Sequence, residues 1–293
     1  MKIMIYSTSK KLFIFIAFVF MSACGADNVS NEQWRALDIN KTVLLTLPHG
    51  NVVIELAPQF APKHVEQFST LLKKSFYDET SFYRVIDGFV AQAGPKEGSD
   101  KDKSVSLLAM EGQFLTDKDW SFTRVQNNDL FAKNTGFKGG FALANDNANN
   151  AWLTHCPGVL AMARNNEADS ASSHFYFVIG QAPRYLDKIM TIFGRVVYGM
   201  EHIQAIRRTS VVEGEYAVDS REHTPIISMK LMADLPINER IIIEVENTES
   251  TAFAQRLIKR RARDNEFFYQ KPPQVLDVCQ IPVRSRLIKT VSK

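Results

Sequence analysis

A lone arginine inside an apolar hairpin constrains this chain more than any other feature. Phe82-Tyr83-Arg84-Val85-Ile86 alternate with the two-residue period of a strand, Asp87-Gly88 is a turn signal, and Phe89-Val90-Ala91-Gln92 resume as a second strand. The guanidinium group cannot be deprotonated in a protein, and burying it unpaired is costly. Arg84 among Phe82, Phe89 and Val90 therefore either faces solvent or meets a carboxylate, carbonyls or a ligand.

Other blocks follow the same pattern. Gly158 to Arg164 reads as a strand entering a polar loop, and after Ser170-Ala171-Ser172-Ser173 the run His174 to Gly180 reads as an apolar strand. Tyr185-Leu186-Asp187 then precedes Ile192-Phe193-Gly194-Arg195-Val196. Upstream, Leu44 to Thr46, the turn residues His49-Gly50-Asn51 and Val52 to Leu56 make a first hairpin. Pro62 stands where a helix can begin, and Val65, Phe68, Leu71, Leu72 and Phe76 recur near the helical period; Met200, Ile203 and Ile206 mark a second helix.

In order and spacing, these blocks resemble the cyclophilin family of peptidyl-prolyl isomerases, its bacterial branch in particular, over about residues 42 to 232. The resemblance implies a mainly β fold: a closed antiparallel eight-stranded barrel capped by two α-helices, with no exposed strand edge. It also implies the site. Arg84 would be catalytic, hydrogen-bonding the substrate carbonyl and approaching the prolyl nitrogen. Phe89, Val90, Tyr176 and Leu186 would form the proline pocket, and Gln92 would hold the substrate backbone. Ala163 and Arg164 would meet the residue before proline through main-chain groups.

Several positions depart from the family pattern. His174 stands where glutamine is common, Tyr176 where phenylalanine is usual, Met190 where many members have histidine, and Tyr185 at the tryptophan or phenylalanine position. Together they put substrate preference in question and imply weak binding of the cyclic peptide inhibitor that recognises that tryptophan. The expected partners are proline-containing polypeptides.

Processing signals precede this segment. Lys2, Lys10 and Lys11 flank the apolar run Leu12 to Phe20, too short for a stable span and suited to a signal peptide ending near residue 23. Met21-Ser22-Ala23-Cys24 resembles a bacterial lipobox, which implies cleavage before Cys24 and acylation of its thiol; ordinary secretion with cleavage near Ala23 is the alternative. Gly25 in place of aspartate favours the outer membrane, so the expected location is the periplasm, tethered by an N-terminal lipid. Removing residues 1 to 23 deletes three lysines and no acids, leaving 32 basic against 32 acidic residues. A neutral chain has no field with which to gather nucleic acid, which argues against that partner. A monomer is expected.

With Cys24 lipidated, Cys156 and Cys279 remain as a pair in an oxidising compartment, either bridged or as two buried thiols. A bridge would pin the C-terminal extension to the barrel. The expected organisation is a signal peptide over 1–23, a flexible tether over 24–38, a cyclophilin-like domain over 39–233 with an insertion at about 96–156, and an extension over 234–293. Scattered aromatics (Phe114, Trp120, Phe122, Phe131, Phe137, Phe141, Trp152) argue for a folded insertion, with a strand at Gly139 to Ala144 and a turn at Asn145 to Asn150. In the extension, Arg240 to Val245 reads as a strand and Glu249 to Arg263 as a helix with cations toward its C-terminal end; Val275 to Val283 would return as an extended segment.

Other chemistries lack their residues. The six histidines show no metal-binding spacing and there is no Gly-x-Ser-x-Gly elbow, so neither metal nor cofactor is expected. Two functions remain: an isomerase acting on Xaa-Pro bonds of envelope proteins, or a catalytically weak binding or chaperone module using the same groove.

Overall fold

The computed structural model describes residues 32–146, 149–209, 211–212, 215–216 and 223–289. The proposed signal peptide, Cys24 and most of the tether lie outside the described residues, as do positions 147 and 148 of the expected turn. The fold is mainly β. In chain order, its first strands are β1 (Trp34–Ala36), β2 (Thr42–Leu47) and β3 (Gly50–Leu56), followed by helix α1 (Pro62–Lys73) and the hairpin β4 (Ser81–Ile86) and β5 (Val90–Gly94). The short helix α2 (Asp100–Lys103) leads into the insertion, with β6 (Phe114–Leu115), β7 (Thr123–Asn127), β8 (Asn134–Lys138), β9 (Phe141–Asn145) and β10 (Asn150–Leu153). Next come β11 (Val159–Met162), β12 (Phe175–Val178), β13 (Ile192–Tyr198) and α3 (Met200–Gln204). A small hairpin, β14 (Val211–Val212) and β15 (Glu215–Tyr216), precedes β16 (Thr224–Pro225) and β17 (Ser228–Leu231). The extension contributes β18 (Ile242–Glu246), α4 (Thr251–Ala262) and β19 (Ser285–Lys289).

A nine-stranded antiparallel sheet ordered β16-β4-β5-β12-β11-β13-β3-β2-β17 carries the domain. The two ends of that order are neighbouring pieces of one stretch, and between them Ile226 donates its N–H to Thr80 O and Ile227 to Thr46 O. Central strands are buried on both faces. Phe175 and Phe177 of β12 enter the main core with Leu160, Met162, Ala91 and Ala93, whereas Tyr176 and Val178 enter a second core with Val159, Ala161 and Val90. This two-faced burial explains why β12 reads as a continuous apolar run without polar alternation.

The insertion is a five-stranded sheet ordered β6-β10-β9-β8-β7. Its Phe137, Phe141, Leu143 and Leu153 meet Phe253 and Leu257 of α4 in the second core, so insertion and extension together cover the outer face of the main sheet. Ser250 caps α4 by accepting the Phe253 N–H, and Arg263 ends it in the left-handed region. Two expectations change. Trp34–Ala36, placed in the flexible tether, is an edge strand on β18; Arg35 bonds Gly139 O and pairs with Glu55, and Arg286 lies over the Trp34 ring. The segment 275–283 is not uniformly extended, because Asp277 accepts the Cys279 N–H and starts a short 3-10 turn there.

Helix α1 starts at Pro62 without a cap from its own flank. The Glu111 carboxylate supplies it from the insertion, accepting the N–H groups of Lys63 and His64 and facing His64 Nδ1 at 2.7 Å. His64 Nε2 is buried without a partner among the described residues. Burial holds the imidazole below its ordinary value of 6.5, outweighing the opposite pull of Glu111. The unfolded chain then takes up its proton first, so this contribution to stability is full above the ordinary value and is lost as pH falls below it. The urea midpoint is expected to fall between about pH 7.5 and about pH 5.5, and His64→Gln to flatten the slope; a slope unchanged in that variant would disprove the assignment.

Candidate active site

The β4–β5 hairpin turns through Asp87, Gly88 and Phe89, with Gly88 at φ 68°, a backbone that suits glycine. A bulge between Phe82 and Arg84 breaks the strict alternation of β4. It turns Tyr83 and Arg84 toward one groove. Both line a cavity of about 450 Å³ together with Gln92, Ala163, Arg164 and His174.

The polar side of this groove is one chain of hydrogen bonds. Arg84 Nη1 donates to Gln92 Oε1 at 3.0 Å, and Gln92 Nε2 donates to Tyr83 Oη at 2.7 Å. Tyr83 Oη lies 2.7 Å from His174 Nδ1, and His174 Nε2 lies 3.0 Å from Asp102 Oδ1. One assignment satisfies every donor: a neutral His174 gives its Nε2–H to Asp102 and accepts the Tyr83 hydroxyl proton. Burial pushes the Tyr83 phenol up to about 12, so it remains a donor. The half-buried Arg84 is thus aimed by a partner that is itself held.

The apolar side is adjacent. Phe89, Val90, Ala163, Tyr176 and Met190 pack in the second core, with Ala163 common to core and cavity. Tyr185 and Leu186 lie on a short 3-10 turn, Arg184–Leu186; Tyr185 is 66% exposed, Leu186 is half-buried, and neither belongs to the cavity lining or to that core. Arg164 reaches this region by donating Nε to Ile189 O, and its Nη1 holds Asn165 O and Asn166 O, so its side chain fixes the loop. The Ala163 N–H is already given to His174 O, which leaves the carbonyl as what Ala163 can offer a substrate backbone. Cys156 and Cys279 are joined, with Cα atoms 4.8 Å apart.

Sequence reasoning missed Tyr83 and Asp102. Strict alternation puts Tyr83 on the face opposite Arg84, and only the bulge overrides it. Asp102 comes from α2, whose charged sequence gives no sign of what it faces. It also gave no role to His155 and Asp187, whose Nδ1 and Oδ1 lie 3.0 Å apart behind the apolar side.

The family model for cyclophilin type peptidyl-prolyl cis-trans isomerase/CLD matches residues 42–231. The chain belongs to this family, whose members are enzymes that interconvert the cis and trans forms of Xaa-Pro bonds. It is 29% identical over 199 residues to a probable peptidyl-prolyl cis-trans isomerase of Brucella suis biovar 1 (strain 1330), covering 67% of this chain and 84% of that one. It is 30% identical over 164 residues to peptidyl-prolyl cis-trans isomerase cypE of Dictyostelium discoideum, covering 56% and 83%. The crystal structure of cyclophilin AquaCyp293 from Hirschia baltica matches with a TM-score of 0.68 at 27% identity over 89% of this chain and 94% of that one, well beyond the family segment.

Proposed function

We propose that this protein accelerates the cis-trans interconversion of Xaa-Pro bonds in proteins of the cell envelope, with Arg84 as its catalytic residue. Rotation about the bond sacrifices amide resonance against a barrier of about 18 to 20 kcal/mol, and no covalent step is needed. A catalyst must bind the twisted amide better than either planar form. The guanidinium does this by bonding the carbonyl and approaching the pyramidal prolyl nitrogen, while the cluster of Phe89, Val90, Tyr176 and Met190 holds the ring out of water, Leu186 closing on it from the neighbouring turn outside that cluster, and Gln92 holds the backbone. A hundred-thousand-fold acceleration requires about 7 kcal/mol of differential stabilisation. One oriented arginine and two or three hydrogen bonds supply that scale. The observation that carries this reading is the bonded chain from Arg84 to Asp102, lining a cavity that meets the apolar cluster of Phe89, Val90, Tyr176 and Met190 at Ala163. Exchange NMR on a Xaa-Pro peptide tests it: native protein at the background rate would reject it in favour of the binding module.

The nine-membered order reads as a closed eight-stranded barrel whose last strand is β16 plus β17, with α1 and α3 over its ends. The Ile226 and Ile227 bonds support closure, and burial of Phe68, Leu72 and Ile203 in the main core supports the caps. Residues 39–233 form the isomerase domain and 234–293 an extension on its groove side. The mature chain acts as a periplasmic monomer held at the outer membrane by lipid on Cys24, without nucleic acid; the lipobox-like Met21-Ser22-Ala23-Cys24 supports the anchor, and the neutral charge supports the lack of a nucleic-acid partner. In a bacterial host, Cys24→Ala is expected to move the protein from the membrane to the soluble periplasmic fraction, and unchanged fractionation would refute the anchor.

A further inference from the structure

Tyr176, assigned above to the proposed proline pocket and taken here as its floor, carries a buried hydroxyl. Tyr176 is 3% exposed, and its Oη lies 3.0 Å from Nε2 of His155, which is itself fully buried. The two rings are nearly parallel, at 17°. On the other edge of the imidazole, Nδ1 lies 3.0 Å from Asp187 Oδ1, and the His155 backbone N–H donates to the same oxygen at 2.9 Å. Asp187 directly follows Leu186 and closes the turn that carries Tyr185 and Leu186; its second oxygen takes Arg184 Nε at 2.5 Å.

The bonding order follows from the chemistry. A carboxylate only accepts, so Nδ1 carries the imidazole proton toward Asp187 and Nε2 accepts from the Tyr176 hydroxyl. Burial holds the Tyr176 phenol well above its usual range, so it stays a neutral donor. Phenylalanine at 176 would leave Nε2 buried without a donor, and an apolar residue at 155 would strand the hydroxyl. Each residue makes sense only with the other.

We propose that His155 is a positioning residue for the proline pocket, one whose imidazole ties the floor, Tyr176, to the wall turn bearing Tyr185 and Leu186 and so fixes the ring size admitted. This inference rests on the isomerase reading of the site. The floor belongs to β12 in the sheet, whereas the wall is a short turn with an exposed tip; the imidazole bridges them across 21 residues on one side and 32 on the other. A fixed width selects the five-membered prolyl ring over its six-membered homologue. One methylene in a shaped pocket is worth about 10- to 200-fold in discrimination.

The test compares two peptides identical except for prolyl or pipecolyl, with kcat/KM for each measured by exchange NMR. His155→Leu is expected to lower prolyl kcat/KM about tenfold, mainly through KM. It is expected to narrow the prolyl-to-pipecolyl ratio by about fivefold or more. Tyr176→Phe narrows the ratio in the same sense, the double variant is no worse than His155→Leu, and His155→Gln, which can again accept the phenol proton, moves the ratio back toward native. A merely structural role would lower the melting temperature and leave the ratio alone. An unchanged ratio in His155→Leu and Tyr176→Phe, or additive effects in the double variant, overturns the proposal; if His155→Leu does not fold, an unchanged ratio in the nearly isosteric Tyr176→Phe overturns it alone. Native protein at background on both peptides defeats the isomerase reading and this inference together, whereas active protein with an unaltered ratio defeats only the inference.

Discussion

Arg84→Ala is expected to reduce kcat/KM on a Xaa-Pro peptide by about 10²- to 10³-fold, the loss typical of removing one oriented donor from a stabilised transition state. The reason is geometric. Gln92 holds Arg84 Nη1, Tyr83 holds Gln92, and the His174–Asp102 pair holds Tyr83, so the guanidinium is placed before substrate arrives. Little of that cost should appear as lost stability, because Arg84 is half-buried at a cavity rather than in either core. Arg84→Lys keeps the charge but loses the planar fork, and should recover only part of the rate. Exchange NMR at matched folded concentration reads both. Native-like turnover by Arg84→Ala would remove the arginine from the mechanism.

The second large effect is on stability. Cys156 and Cys279 are 123 residues apart, and in the chain-entropy model a bridge closing so long a loop contributes up to about 5 kcal/mol, mostly by restricting the unfolded chain. The Cys156→Ala/Cys279→Ala variant is expected to lose about 2 to 5 kcal/mol in urea unfolding, and dithiothreitol to lower the native protein to a similar midpoint. The extension should nevertheless stay docked, since Phe253, Leu257, Leu276, Val278 and Ile281 remain in the second core. A loss below about 1 kcal/mol would mean that the bridge does little beyond what this packing already does.

Local signals carried what the chain determines locally. The β4–β5 hairpin was legible because alternation and an Asp-Gly turn coincide, and α1 because Pro62 precedes a 3.6-residue apolar stripe. What escaped is decided at a distance. No residue near Ala61 announces that α1 takes its cap from Glu111, and no periodicity marks three residues, Trp34–Ala36, that become a strand only by lying against β18. The insertion's aromatics signalled folding but not its strand order, because their partners are distant: Phe137 meets Phe253 of α4, more than a hundred positions later, and Phe141 meets Phe60, ahead of α1. Within the site, the resemblance put Arg84 and Gln92 side by side, and a single bulged residue hid Tyr83.

The two-faced strand β12 has one further consequence. Phe175 and Phe177 fill the main core while Tyr176 packs in the second core, beside the groove, so the odd and even positions of the same four residues serve two separate interiors. A single-residue insertion would exchange the two sets, driving a phenol inward and two benzyl groups outward. Diversification here can therefore proceed by exchanging side chains but not by lengthening the strand, whereas the loops that approach it from insertion and tail are free to do both.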